Sequence, residues 1–150
     1  MKRSLLAALS LAVLMTPFQG FSQMSIKFRG SDGWGTGSRY DQVFNNYNLQ
    51  TVYGKINQID TITPFNDMSY GIQITVTTNA GDLPVHLGPA WFLLHQDMKL
   101  SIGDQVEVKG SKVAFNGKPA VMAVELRIKD RILYLRDNDG IPYWCIWRKK

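Results

Sequence analysis

From Thr51 onward, apolar and polar residues alternate in short runs separated by turn residues, which is the period of half-buried strands. Val52, Gly54 and Ile56 alternate with Tyr53, Lys55 and Asn57 in a first run, and Thr63-Pro64-Phe65-Asn66-Asp67 marks the loop after it. Ile72, Ile74 and Val76 alternate with Gln73, Thr75 and Thr77 in a second. Asn79-Ala80-Gly81-Asp82 then turns the chain into a third run, Leu83 to Leu87. At Gly88-Pro89 the period changes: Trp91, Leu94, His95 and Met98 recur at helical spacing, with Pro89 suited to a first helical position. After a turn at 101–104, Val106 and Val108 open a fourth strand running toward Val113, and Asn116-Gly117 supplies a hairpin signal. Ala120, Met122, Val124 and Leu126 alternate in the fifth, and a last hairpin is expected from Ile132–Leu135 and Ile141–Trp147 around Asp137-Asn138-Asp139-Gly140.

The segment before Thr51 lacks any such period. Lys2 and Arg3 precede an apolar run from Leu5 to Met15, and Gly20-Phe21-Ser22 puts small residues at −3 and −1 of a cleavage site, so residues 1–22 read as a secretory signal peptide. The apolar run is too short for a membrane span, which leaves none after cleavage. Residues 23–50 are rich in Gly, Ser, Asn and aromatic residues and read as an extended arm held to the domain by Trp34, Tyr40, Phe44 and Tyr47. Its glycines do not make a phosphate loop, because no strand precedes them and neither G-x-G-x-x-G nor Gly-Lys-Ser/Thr follows. Residues 51–150 form the single folded domain.

Five strands with one short helix between the third and fourth is the order of an OB-fold, a mainly β, partly open Greek-key barrel. The segment from Val52 to Ile128 resembles that fold. The phrases Leu83-Pro84-Val85-His86-Leu87-Gly88-Pro89-Ala90-Trp91 and Leu135-Arg136-Asp137-Asn138-Asp139-Gly140-Ile141-Pro142-Tyr143-Trp144 are similar to those of small secreted bacterial OB-fold proteins of uncharacterised function. The resemblance implies a binding module and supplies no substrate.

Charge and cysteine content narrow the compartment. Losing the signal removes two of the 17 basic residues and none of the 12 acidic ones, so the net charge of +5 becomes +3, mildly favourable to an anionic partner. Cys145 is the one cysteine, so no intrachain disulfide forms. A missing Asn-x-Ser/Thr sequon in the exported part suits a bacterial periplasm or secretion.

The candidate ligand groove lies between the loops at 61–70 and 114–118, which flank the binding face of an OB barrel. Phe65, Tyr70 and Phe115 offer stacking faces there and Lys55, Lys112 and Lys118 cations, with Gln73 and Thr75 on the adjoining strand. His86 belongs to the same set, because Leu83, Val85 and Leu87 point inward and leave it on the outer face. Aromatic faces with positive charge suit single-stranded nucleic acid, but also glycans and peptides, and the exported compartment favours an oligosaccharide, a peptide or an envelope protein. His86 with His95, Cys145 and the methionines also raises metal or haem handling, yet no pair has metal-binding spacing and no cofactor is expected. Asp137-Asn138-Asp139-Gly140 reads as a turn, since its glycine comes too early for a calcium loop. No nucleophile has a histidine partner at readable spacing, so the sequence points to a non-catalytic protein.

Overall fold

The computed structural model describes residues 31–147. The expected signal peptide, the first part of the arm and the basic residues 148–150 lie outside the described residues. Within them, six strands form one sheet: β1 (Leu49–Ile62), β2 (Gly71–Thr78), β3 (Gly81–Pro89), β4 (Gln105–Phe115), β5 (Lys118–Ile128) and β6 (Arg131–Tyr134). Their order is β3-β2-β1-β4-β5-β6, with antiparallel neighbours. A further parallel pairing joins β3 to β5 through Val85↔Val121 and His86↔Met122.

β1 is long because it serves two partners. Its first half, Leu49 to Lys55, pairs with β4, and its second half, Lys55 to Ile62, pairs with β2. The changeover needs a residue without a side chain. A Cβ on Gly54 would collide with the Thr77 carbonyl and Val76. The Asn116-Gly117 signal is realised as expected: both residues take positive φ, 52° and 75°, in the two-residue turn that joins β4 to β5.

The inward faces carry the alternating aliphatics. Ile56, Ile74, Val76, Val85, Leu87, Val106, Val108 and Leu126 are all essentially buried and belong to one core. Each contributes roughly 1.5–3 kcal/mol by leaving water. β5 departs from alternation, since residues 120–124 are buried on both faces. The chain after β6 runs beside this stretch, where the Leu135 and Arg136 N–H groups donate to the Val124 carbonyl.

Two elements differ from the sequence expectation. The helix is a single turn, α1 (Ala90–Leu93), which buries Ala90 and Phe92 and leaves Leu94 and His95 exposed; His95 Nδ1 bonds the Trp91 carbonyl at 2.6 Å. The expected face of Trp91, Leu94, His95 and Met98 therefore does not form, because the chain leaves helical geometry one turn after Pro89. The C-terminal hairpin forms only next to its turn, where the Asp137 N–H donates to the Ile141 carbonyl and the Tyr143 N–H to the Leu135 carbonyl. β6 pairs with β5, and residues 141–147 hold only one bridge, Arg136↔Pro142, before the turn α2 (Trp144–Trp147). Asp137 shapes the turn, its side chain accepting from the N–H groups of Asp139 and Ile141, and the pairing ends where the chain becomes helical at Trp144.

Candidate functional site

The outer face of the β2–β3 hairpin is where the arm and the C-terminal segment meet. Glycines make room for them. A Cβ on Gly71 would strike the Trp34 ring, and one on Gly88 would lie 2.8 Å from that of Trp144. Both tryptophans are buried, and the Trp144 indole N–H donates to the Trp34 carbonyl at 2.8 Å, tying the two termini together over the sheet. The arm is hooked once more at its end, where the Ser111 hydroxyl of β4 accepts from the Asn45 N–H and donates to the Asn45 carbonyl.

Beneath this clasp lies His86, and its placement corrects the outward, accessible position expected from strand alternation. Its ring is only 2% exposed. Alternation did put it on the face opposite Val85 and Leu87, beside its register partner Gln73, but that face is not solvent. Tyr40 of the arm stacks on the imidazole with centroids 5.9 Å apart, and its hydroxyl shares a hydrogen bond with His86 Nδ1 at 3.0 Å. Phe115 closes the cluster from the β4–β5 hairpin, 5.4 Å from His86 and 6.0 Å from Tyr40, and Phe65 packs on Phe115 at 5.5 Å.

Arg136 completes the cluster from the other side and is also buried, at 1% exposure. One guanidinium nitrogen, Nη1, donates to the carbonyls of Ala123 and Leu87, and the other, Nη2, has no partner. The guanidinium lies 4.8 Å over the Trp144 ring, a cation–π contact that replaces part of its lost hydration. Burial and this neighbouring cation set the protonation states. Desolvation, reinforced by Arg136, lowers His86 to about 4, so the ring is neutral at pH 7. Desolvation raises Tyr40 to about 12 despite the opposing pull of the guanidinium, so its hydroxyl stays protonated.

The cluster is therefore a neutral histidine, a neutral phenol and a cation in a water-excluded pocket. A second cation on His86 would face the Arg136 guanidinium, which argues against the imidazole as a metal ligand. Among the described residues no group of three His, Cys, Asp or Glu side chains is close enough to hold a metal ion. The single cysteine cannot supply the paired thiols of a Cys-x-x-Cys-His haem attachment.

The structure brings Phe65, Phe115 and His86 together, with Gln73 in register beside His86. It leaves Tyr70 (53% exposed), Lys112 and Lys118 at the surface, with Thr75 half-buried two residues along β2 from Gln73. Arg39 and Tyr40 lie across the groove the sequence assigns to a ligand, Arg39 resting on the Phe65 ring at 4.1 Å. Trp34 and Tyr40 are the arm anchors the sequence names; Phe44 is half-buried, and Tyr47 at 93% exposure anchors nothing. Arg136 escaped notice because an arginine before an Asp-Asn-Asp-Gly turn has the pattern of a solvated residue. Only its flanks, Leu135 and the aromatic run after Pro142, hinted at burial.

The model of the MamS/MamX magnetosome protein family matches residues 48–133. No curated protein matches the chain. The match takes in β1 to β5 with Phe65, His86 and Phe115, and stops short of the arm and of the segment carrying Arg136 and Trp144.

Proposed function

The chain belongs to the MamS/MamX magnetosome protein family, and on that premise we propose that it is an exported, non-catalytic binding or accessory module, an OB-type barrel that serves a bacterial magnetosome. The strand pairing supports the barrel: β1 bonded to both β2 and β4, and β3 returning in parallel to β5, join five strands in a ring in the OB order. The ligand or partner, an oligosaccharide, a peptide or an envelope protein, is held at the rim of the filled groove.

One observation carries this reading. Tyr40 and Phe115 close over His86, whereas Arg39, laid on the Phe65 ring, stays exposed at the surface, as do Tyr70, Lys112 and Lys118. The buried groups are neutralised or locked by packing, so contact chemistry is left to the exposed ones. The test immobilises the protein and its Tyr70→Ala/Lys118→Ala variant and passes solubilised bacterial envelope and purified oligosaccharides over both. Retention by the parent that the variant loses, at an unchanged melting temperature, supports the rim. Retention equal in both contradicts it.

A further inference from the structure

A second concave surface lies at the far end of the β2–β3 hairpin from Tyr70. It is an open cleft of about 620 Å³ where β1 passes from β4 to β2, floored by Tyr53, Lys55, Gln105, Glu107 and Arg127 and bounded by Lys129. Its shape follows from Gly54, which allows β1 to cross so near β2 that the sheet folds around the outer side chains.

The registers arrange the floor in two rows. In one, Tyr53 faces Glu107 and Glu107 faces Arg127, with an Arg127–Glu107 ion pair at 4.0 Å. In the other, Lys55 faces Gln105, and continuing the β4–β5 register puts Lys129 on the far side of Gln105. The two ammonium groups thus spring from backbone two strand spacings apart, roughly 10 Å. Among the described residues neither has a carboxylate at ion-pair distance, whereas the arginine in the next row does.

Lys129 also sits at φ 55°, in the turn between β5 and β6, a conformation that glycine or asparagine adopts more readily. A lysine there accepts backbone strain and sets an ammonium group on the lip of the cleft. Tyr53 is 66% exposed and, among the described residues, is the one ring lining the cleft.

We propose that this cleft binds a carboxylated oligosaccharide, a sugar ring lying on Tyr53 and its acid group held between Lys55 and Lys129 over the Gln105 amide. Two features favour a saccharide over other polyanions. Single-stranded nucleic acid needs a succession of stacking faces, and the cleft has one. A peptide adding to the sheet needs a free strand edge, and the floor residues all lie on backbone already paired within it. The site stands apart from the groove rim, so either can fail without the other.

The test titrates purified full chain with fluorescently labelled oligogalacturonate at about 50 mM salt, where a charged cleft is least screened. Neutral malto-oligosaccharide, hexaglutamate and oligothymidylate serve as comparators. Saturable binding of the uronate is expected, weakening as salt rises, with each comparator weaker by about tenfold or more. Lys55→Ala/Lys129→Gly should weaken it by about tenfold or more, as should Tyr53→Ala alone, at an unchanged melting temperature. Lys129→Gly suits the turn, so loss of binding there reports the ammonium group. No binding by the parent chain, binding the variants retain, or hexaglutamate or oligothymidylate bound as tightly as the uronate would overturn the proposal.

Discussion

Two parts of this molecule hold cations that make no ion pair among the described residues, and they handle them in opposite ways. At the clasp, Arg136 is buried against Trp144 and two backbone carbonyls. At the cleft, Lys55 and Lys129 keep their charge in water beside an exposed tyrosine. A buried cation costs desolvation and is retained for what it ties together, here β3, β5 and the C-terminal segment. An exposed one costs nearly nothing and stays available to a ligand. Stability should therefore concentrate at the clasp and binding should lie outside it.

That contrast breaks first, and hardest, at the tryptophans. Trp144→Ala removes the ring that covers Gly88 and carries the guanidinium, and should cost about 3–5 kcal/mol in chemical denaturation. A loss below about 1 kcal/mol would mean that the C-terminal segment does not hold the arm.

Acid is the next lever. The folded His86 value of about 4 lies below the ordinary histidine value of 6.5, so the unfolded chain takes up the proton first. Stability is complete above about pH 6.5 and falls as pH drops toward 4, by about 3 kcal/mol across that window. Tyr40 acts at the opposite end: its raised value makes stability fall as pH climbs from about 10 to about 12. Denaturation midpoints across pH, repeated in His86→Gln, should show the acid limb vanish in the variant.

Tyr40→Phe keeps the ring stack and removes the hydroxyl, leaving Nδ1 of His86 buried without its partner. The expected loss is about 1–2 kcal/mol, read from the same denaturation curves. Smallest of all is the cleft. Lys55→Ala and Tyr53→Ala should each move stability by less than about 0.5 kcal/mol while binding falls, the reverse of the clasp variants.

Much of the sheet was legible because its strands obey a period of two and its turns carry their own chemistry, as at Asn116-Gly117. The end of the chain was not. Ile141 to Trp147 has strand-like composition, yet its pairing stops at Tyr143, where the chain turns into α2. His86 shows a subtler limit. Alternation assigns a residue to a face but says nothing about what covers that face, and here the cover comes from Tyr40, 46 residues earlier in the chain. The cover also comes from outside residues 48–133, the part that matches the family. Lys55, which the sequence assigns to the loop-flanked groove, lines the cleft instead, with Lys129, 74 residues away along the chain, brought near it across β4.

The most direct measurement is an NMR titration of the two histidine rings in the intact chain. His86 should keep its neutral-ring shifts well below pH 6 and move only near 4, where the clasp opens. A His86 ring that titrates near the ordinary histidine value of 6.5 would contradict the account. It would mean that the arm leaves the groove open, and His86 would return as a candidate ligand.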